Sequence, residues 1–333
     1  MSSDLKYAVF GSGSWATAIV KMLCENLDEV GWFVRSQQTI NYILSEEHNP
    51  SYLSSVELHT NQLKLACDIN ELANYADILI FAIPSAFIEN ELTKLNVDIS
   101  SKIVVSAVKG IIPESGHLVG EHFEKKYSVR SGNIVVLAGP CHAEEVALER
   151  LSYITVACAN LETANEIAGQ FSSNYIKTNT NDDVIGAEYA AMIKNIYAIA
   201  AGIAHGLGYG DNFQSVLMSS ATREMKRFIK KVHKKKRNIN ETVYLGDLLV
   251  TCYSLFSRNR MFGNMVGKGY TVKSAQMEMS MVAEGYYATK SAYQINQNQE
   301  APAKTPIIDT VYEIIYSHKN AKRAFEKLTD KIS

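Results

Sequence analysis

Lys194 and Asp247 are the two charged side chains with the most unusual surroundings in the sequence. Lys194 stands in the apolar stretch IGAEYAAMIKNIYAIAAGIAHGLGYGDN, residues 185–212, and Asp247 interrupts the apolar run YLGDLLVTC. Burying an ammonium group costs free energy unless it is paired or loses its proton. We therefore expect Lys194 to face a cleft, oriented by Asp247 and Asn195, as a general acid and base. The alternative is a lysine whose stem packs while its head reaches solvent.

A second candidate site lies in the segment SRNRMFG. Ser257 is a good N-cap residue, and it predicts a helix whose first turn carries Arg258 and Asn259. Arginine is disfavoured at a helix N-terminus, so this pattern indicates an anion held between these side chains and the free N–H groups. Phosphate is the ligand we expect there, and surface arginines are the alternative.

The N-terminal region predicts a dinucleotide site. The strand pattern KYAVF stops at GSGSWA and passes into a helical pattern. In such a strand, turn and helix, Gly11 makes the tight turn, Gly13 lets the backbone approach a pyrophosphate, and Ala16 fills the third position. A simple glycine-containing turn is the alternative.

Arg35 and Ser36 follow the second predicted strand, residues 30–34, where an NAD-selective site usually carries an acid. Because a guanidinium group suits a 2′-phosphate, we expect NADPH to be accepted as well as NADH. The alternative is an arginine exposed to solvent at the end of a strand.

Strand-like runs alternate with helical patterns as far as residue 158 and predict an α/β fold, a Rossmann-type, doubly wound, mostly parallel sheet. Ligands of such sheets bind at the carboxyl ends of the strands. The loops at Pro84-Ser85, Lys109-Gly110 and Gly139–Ala143 should therefore border the cofactor. We do not expect Cys141 and His142 to form a nucleophilic pair, since hydride transfer needs no covalent thiol.

Helical patterns replace the alternation from about residue 181. We therefore predict an NAD(P)-binding domain over residues 1–180 and an all-helical substrate and catalytic domain over residues 181–333. The basic run from Lys230 to Arg237 complements the dipole of the helix that it ends, and we interpret it as solvated rather than as an RNA or membrane contact.

Composition limits the classes of function. The chain has 333 residues, 47% of them hydrophobic, and a net charge of −2, which gives no general attraction to nucleic acid or anionic membranes. Its five cysteines form no C-x-x-C pair, so we expect reduced thiols and no metal site. With no apolar run of about 18 residues, the sequence predicts a cytoplasmic protein without membrane insertion.

Several motifs of both predicted domains together resemble one family, the NAD(P)-dependent glycerol-3-phosphate dehydrogenases. The motifs occur over nearly the whole chain in the order GSGSWATA, FAIPS, SAVKG, AGPCHAEEVA, IKNIYAIAAGI, GDN, GDLLVTCYSLFSRNRMFG and VAEGY. The resemblance implies reduction of dihydroxyacetone phosphate to sn-glycerol 3-phosphate, the glycerophospholipid backbone, by a soluble protein that is typically a homodimer.

The resemblance also implies roles for single residues. Lys194 would be the catalytic acid and base. Cofactor contacts would be made by Ser14, Trp15, Arg35, Lys109, Ala143, Arg258, Val282 and Glu284. Substrate contacts would be made by Lys109, Gly139, Cys141, Asp247, Ser257, Arg258 and Asn259.

The chain departs from the family pattern at three places. Cys141-His142 replaces Ser or Thr followed by Phe, which leaves a backbone role for Cys141 open, and Tyr244 replaces a glycine, which predicts a differently shaped loop. The basic run after Lys230 has no counterpart in the pattern. Two other functions are possible on the sequence alone: a related dehydrogenase of a 3-hydroxy acid and a non-catalytic NADPH sensor. The arginine-bearing segment at Ser257 argues against the first, and the buried charges argue against the second.

Overall fold

A computed structural model of the chain describes residues 5–113, 115–279 and 283–332. The chain forms two compact units, the first made of Met1–Val108 and His117–Val184 and the second of Lys109–Gly116 and Ile185–Ser333. The sequence pattern predicts a boundary at residues 180–181 and does not separate Lys109–Gly116 from the first domain. That segment belongs to the helical unit, where the Lys109 carbonyl accepts a hydrogen bond from Asn195 Nδ2 at 3.4 Å.

The first unit is built on one sheet. In its described part the sheet has eight strands, in the order β3-β2-β1-β4-β5-β6-β7-β8. Adjacent strands are parallel except for β6 and β7, so the predicted doubly wound, mostly parallel sheet is confirmed. The strands are β1 (Tyr7–Phe10), β2 (Val30–Phe33), β3 (Leu63–Ala66), β4 (Ile78–Phe81), β5 (Ile103–Ser106), β6 (Ile134–Ala138), β7 (Ser152–Cys158) and β8 (Ile176–Asn181).

Helices cover this sheet and explain its apolar centre. Every residue of β1, β2 and β4 is buried, which suits central parallel strands enclosed on both faces. The helices of this unit are α1 (Ser14–Cys24), α2 (Gln37–Glu46), α3 (Ile69–Tyr75), α4 (Ser85–Leu92), α5 (Val119–Tyr127), α6 (Ala143–Ala147) and α7 (Leu161–Phe171).

Strand β8 is absent from the sequence-based prediction. Its sequence is IKTNTN, with only Ile176 buried, because it lies at the edge of the sheet and pairs with β7 alone. Asparagine and lysine are depleted in strands generally, so the pattern resembles a linker. The register of β7 with β8, from Ser152–Ile176 to Ala157–Asn181, fixes it as a strand.

The second unit is helical in its described part. Its longest helix, α8 (Val184–Gly206), is buried at nearly every position from Gly186 to Ala204, as predicted for this apolar stretch. The remaining helices are α9 (Asp211–Val232), α10 (Asp247–Tyr253), α11 (Arg258–Gly267), α12 (Val272–Glu278), α13 (Glu284–Gln297), α14 (Pro306–Ile315) and α15 (Ala321–Thr329). Among the described residues, none of these helices combines the length and apolarity that crossing a bilayer requires.

Candidate functional site

The glycine turn between β1 and α1 has the geometry that an anion requires. Gly11 has a φ of 130°, and a Cβ on it would stand 2.8 Å from the Ala82 carbonyl oxygen, so only glycine fits there. A Cβ on Gly13 would meet nothing within 4 Å. Gly13 is the N-cap of α1, with Ser14 and Trp15 in the first turn, so open space lies beside N–H groups that lack intrahelical partners. The turn therefore fits a pyrophosphate.

Arg35 lies exposed just beyond β2. Because β1 and β2 are parallel, it lies at the carboxyl ends of the strands, where β1 ends in the glycine turn. Ser36 caps α2, accepting a hydrogen bond from Thr39 N at 3.4 Å. The segment between β2 and α2 carries no carboxylate. An arginine at this position suits the 2′-phosphate of NADPH without excluding NADH.

The loop after β6 also lies at the carboxyl ends of the strands. Gly139 has a φ of 118°, and a Cβ there would stand 2.9 Å from the Tyr153 carbonyl oxygen. Cys141 is 5% exposed and lies in the apolar core of the first unit, while Ala143 begins α6. A thiol held in an apolar core is a poor nucleophile, so the Cys141 side chain does not suit nucleophilic catalysis.

In the second unit Lys194 and Asp247 form a buried ion pair. The Lys194 ammonium donates a hydrogen bond to Asp247 Oδ1, and the side chains are 3% and 2% exposed. Lys194 lies in the middle of α8, whereas Asp247 is the first residue of α10 and continues the helical turn before it, its N–H donating to the Thr242 carbonyl. The predicted pairing of these two residues is thus present.

Burial is the main influence on the Lys194 ammonium. It lowers the pKa of Lys194 from 10.5 to about 8, and the positive charge of Lys109 acts in the same direction. The carboxylates of Asp247 and Glu284 act in the opposite direction and raise that pKa. The result is an amine that exchanges a proton near neutral pH, which is the property that a general acid and base requires.

A turn with π-helical hydrogen bonding, Thr242–Gly246, leads into α10 and sets the position of Asp247. Such turns are rare and occur frequently at functional sites. Tyr244 is 1% exposed within it. The tyrosine ring is therefore part of the packing that holds the turn.

We expect Asp247→Asn to lower the pKa of Lys194 below about 8, because the carboxylate that raises this pKa is lost. Less of the amine is then protonated at neutral pH, so the alkaline fall of a reaction that takes its proton from this amine should move to lower pH. The pH profile of kcat measures this shift. Asp211→Asn is the matched control, since Asp211 is the exposed first residue of α9. If the alkaline limb of the kcat profile did not move in Asp247→Asn, the ion pair would not determine the pKa of the catalytic acid.

The start of α11 has the predicted cap. Ser257 Oγ accepts a hydrogen bond from Arg260 N at 3.3 Å, so the helix begins at Arg258, which is half-buried. A cation at the positive end of a helix is unfavourable by itself and becomes favourable beside an anion. The helix start therefore provides a cationic side chain beside the backbone N–H groups of a first helical turn.

Two buried asparagines connect the segments that carry the charged residues. Asn195, beside Lys194, donates to the Lys109 carbonyl, and its Oδ1 accepts from Asn259 Nδ2 at 2.9 Å. Asn259, beside Arg258, accepts from Gly285 N at 2.9 Å through its Oδ1. No hydrogen bond joins the Asn195 amide to the Lys194 amine. Asn195 therefore fixes α8 relative to α11 and α13, whereas Asp247 holds the amine itself.

Backbone contact between α8 and α11 fixes the same geometry. A Cβ on Gly202 would stand 2.1 Å from the Arg260 carbonyl oxygen, and one on Gly263 would stand 2.1 Å from the Ile199 carbonyl oxygen. Neither oxygen belongs to a flexible side chain. The two helices can therefore approach this closely only because both positions are glycine.

Gly263→Ala should lower the free energy of unfolding by at least about 3 kcal/mol, the upper range for overpacking, because the new methyl group meets helix backbone. Gly169→Ala in α7 is the matched control. A Cβ there meets nothing within 4 Å, and alanine stabilises a helix interior by up to about 1 kcal/mol over glycine. Urea denaturation compares the two variants. Equal stabilities would disprove the close contact.

The predicted site residues fall into two groups. Gly11, Gly13, Ser14, Trp15, Arg35, Gly139, Cys141 and Ala143 belong to the first unit, and Lys109, Lys194, Asn195, Asp247, Ser257, Arg258, Asn259 and Glu284 belong to the second. Val282 lies outside the described residues. Sequence reasoning missed Trp32 and Asn49, which contact the glycine turn. For the second, the dipeptide Asn49-Pro50, which marks a turn, is the signal that the sequence contains.

A sheet in this strand order, with a glycine turn after its first strand, places the chain in the class of dinucleotide-binding proteins of the Rossmann type. Two family models match it: NAD-dependent glycerol-3-phosphate dehydrogenase N-terminus over residues 6–164 and the corresponding C-terminus over residues 183–326. The chain belongs to the NAD-dependent glycerol-3-phosphate dehydrogenase family.

Individual relatives support this family assignment. A Bacillus subtilis protein named glycerol-3-phosphate dehydrogenase (NAD(P)+) is 36% identical, with 97% of this chain and 93% of that protein covered. A protein of the same name from Enterococcus faecalis is 33% identical, at 97% and 95% coverage. The crystal structure of glycerol-3-phosphate dehydrogenase from Coxiella burnetii superposes with a TM-score of 0.89, at 25% identity and 98% coverage of both chains. D-mandelate dehydrogenase shares the fold alone, with a TM-score of 0.61 at 15% identity.

Proposed function

We propose that this protein catalyses the reversible reduction of dihydroxyacetone phosphate to sn-glycerol 3-phosphate with NADPH or NADH. The observation that carries the proposal is the buried Lys194–Asp247 pair, with the pKa of Lys194 lowered to about 8, in a chain of this family. The name glycerol-3-phosphate dehydrogenase (NAD(P)+), shared by its relatives, supports the substrate and both cofactors.

Lys194 is the proposed proton donor. NADPH or NADH supplies the hydride when bound. As the ketone carbon is reduced, negative charge grows on its oxygen, and a cationic amine within hydrogen-bond reach both stabilises that charge and delivers the proton. In the oxidation of glycerol 3-phosphate the neutral amine takes the proton back. Asp247 keeps the amine in place through the ion pair, and Asn195 supports it by fixing α8.

The start of α11 is the proposed phosphate site. Arg258 supplies the charge, Ser257 organises the helix start, and the Asn259 amide has a second N–H beyond the one on Asn195. Binding the phosphate positions the carbonyl, so a ketone without phosphate should lose turnover as well as affinity. Substrate contacts are also proposed for Lys109, Gly139, Cys141 and Asp247.

The cofactor contacts are proposed on two grounds. Gly11, Gly13, Ser14 and Trp15 form the turn and helix start that fit a pyrophosphate, and Arg35 suits the 2′-phosphate. The family resemblance adds Lys109, Ala143, Arg258, Val282 and Glu284. Residues 1–180 would then act mainly in cofactor binding and residues 181–333 in substrate binding and catalysis.

One assay tests the proposal against its rivals. NADPH and NADH absorbance is followed with dihydroxyacetone phosphate, with unphosphorylated dihydroxyacetone and with 3-oxo acids. We expect rapid oxidation of NADPH or NADH with dihydroxyacetone phosphate and with neither of the other two substrates. Turnover of a 3-oxo acid in its place would favour the hydroxy-acid dehydrogenase, and NADPH binding without any turnover would favour the sensor.

Assembly and location follow the same proposal. We propose a homodimer, as the family resemblance implies, and sedimentation velocity at micromolar concentration tests it. We also propose that the protein acts in the cytoplasm and supplies the backbone of glycerophospholipids. The five free cysteines, three of them buried, suit a reducing compartment.

A further inference from the structure

Asn49 is buried in a way that is unusual for a polar residue in a loop. It follows α2 and is 1% exposed. Its Nδ2 donates to the Ser12 carbonyl at 3.1 Å and to Thr17 Oγ1 at 2.9 Å, while its Oδ1 accepts from Ser51 N at 3.0 Å and Tyr52 N at 3.1 Å. One amide therefore links its own loop to the glycine turn, and all four of its hydrogen-bonding sites are used.

The neighbouring carbonyls of the glycine turn also accept hydrogen bonds from side chains. Trp32 Nε1, fully buried in β2, donates to the Gly11 carbonyl at 2.7 Å. The Gly13 carbonyl accepts from Thr17 Oγ1 at 3.0 Å and from Thr17 N at 3.0 Å. Three successive carbonyl groups, those of Gly11, Ser12 and Gly13, thus each accept a hydrogen bond from a side chain.

This arrangement bears on anion binding because a trans peptide unit is planar, with its C=O and N–H directed oppositely. Holding the Gly11 carbonyl on Trp32 directs the Ser12 N–H the other way, and holding the Ser12 carbonyl on Asn49 does the same for the Gly13 N–H. A ligand anion is attracted by N–H groups and repelled by carbonyl oxygens. A turn fixed before binding loses less conformational entropy when the ligand arrives.

We infer that Asn49 and Trp32 are positioning residues for the dinucleotide pyrophosphate, because their side chains hold the Gly11 and Ser12 carbonyls and so aim the following N–H groups at the ligand. The inference rests on the proposed use of NADPH or NADH by this turn. It extends the cofactor site to two residues that do not touch the ligand and that the glycine pattern does not include.

Asn49→Asp separates the two roles of Asn49. The new carboxylate can still accept hydrogen bonds from Ser51 N and Tyr52 N, but it has no N–H group to donate to the Ser12 carbonyl. The loop after α2 therefore keeps its hydrogen bonds, whereas the glycine turn loses the one that holds the Ser12 carbonyl. We expect the Kd for NADPH, measured by titration calorimetry, to rise at least about tenfold, the effect of about one lost hydrogen bond. KM for NADPH should rise in parallel, while kcat and KM for dihydroxyacetone phosphate stay within about twofold of wild type.

Trp32→Phe tests the inference without adding a charge. The ring stays apolar and large while the donor to the Gly11 carbonyl is lost, and Kd for NADPH should rise about three- to tenfold. Asn160→Asp is the matched control, because Asn160 is exposed and caps α7 by accepting from Glu162 N at 3.0 Å, which aspartate does equally well. Its Kd should equal that of wild type.

The outcomes separate this inference from the proposed function. If wild type does not bind NADPH, the proposed function fails. If wild type binds and both folded variants bind equally well, the inference is wrong. If a variant only melts at lower temperature and its Kd is unchanged, the residue has a purely structural role and the inference is again wrong. If Asn49→Asp does not fold, the Kd of Trp32→Phe for NADPH tests the inference by itself.

Discussion

Lys194→Ala should lower kcat for reduction of dihydroxyacetone phosphate by at least about a hundredfold, the usual effect of losing a general acid. The buried ammonium is the proposed donor of the proton and stabilises the growing charge on the carbonyl oxygen. Lys194 is not among the proposed cofactor contacts, so Kd for NADPH should be unchanged. Stopped-flow absorbance gives kcat, and titration calorimetry gives Kd.

The control for this variant must address folding, because removing Lys194 leaves Asp247 buried without its partner, which costs about 3–5 kcal/mol. The double variant Lys194→Met, Asp247→Leu replaces the pair by apolar side chains, a change that is often neutral for stability. It should fold, bind NADPH and remain inactive. Lys290→Ala, at an exposed lysine of α13, controls for a lysine lost elsewhere in the unit. Turnover near that of wild type in Lys194→Ala would reject the assignment.

The pH dependence of the wild-type enzyme provides an independent test of the same amine. Reduction needs the protonated amine and oxidation needs the neutral amine. Because burial lowers the pKa of Lys194 from 10.5 to about 8, kcat for reduction should fall as pH rises through about 8. The rate of oxidation should rise over the same interval. Opposite limbs with a shared midpoint identify one group acting in both directions.

Arg258→Ala should lower kcat/KM for dihydroxyacetone phosphate by a hundred- to a thousandfold, since removing one member of a desolvated charge pair costs about 2–5 kcal/mol. The lost energy is the energy that positions the carbonyl, so kcat should fall together with affinity. At saturating NADPH, which offsets any loss of the proposed cofactor contact of Arg258, the slow reaction of unphosphorylated dihydroxyacetone does not use the phosphate site and should change by less than about twofold. Comparing the two substrates therefore isolates the phosphate contribution.

Arg323→Ala is the matched control for this substitution. Arg323 lies exposed in the first turn of α15, a helix capped by Asn320, so it is an arginine in a capped first turn, two positions further into its helix than Arg258 is, without a proposed ligand. Its kinetics should equal those of wild type. If both substrates lost rate equally in Arg258→Ala, the arginine would not be a phosphate ligand. If a 3-oxo acid lost rate in place of the phosphorylated ketone, the hydroxy-acid alternative would be favoured.

The features that the sequence determined by itself depend on neighbours in the chain. The strand, glycine turn and helix at residues 7–24 follow from local rules: φ values that only glycine tolerates and an apolar pattern of the right period. The cap at Ser257 is set by residues three apart. Burial of Lys194 was also predictable, because an all-apolar helix has no polar face to turn to water.

Apart from the pair of Lys194 and Asp247, which the sequence suggested across 53 residues, only the tertiary structure decided the partners of the buried polar groups. Asn49 lies 37 residues from Ser12. Glu224 of α9 accepts hydrogen bonds from Ile307 N and Ile308 N at 2.9 Å each, and burial raises its pKa to about 8. A buried polar group must find a partner, but packing rather than sequence distance selects which one.

The same reason explains the features of the fold that the pattern missed. The polar strand β8 is held by its ladder with β7, and Lys109–Gly116 joins the helical unit although it follows a strand of the sheet. Hydrophobic periodicity records which face of an element is buried, and it contains no information about which neighbour does the burying. The sequence therefore determined which residues needed partners, and the three-dimensional packing determined which partners they received.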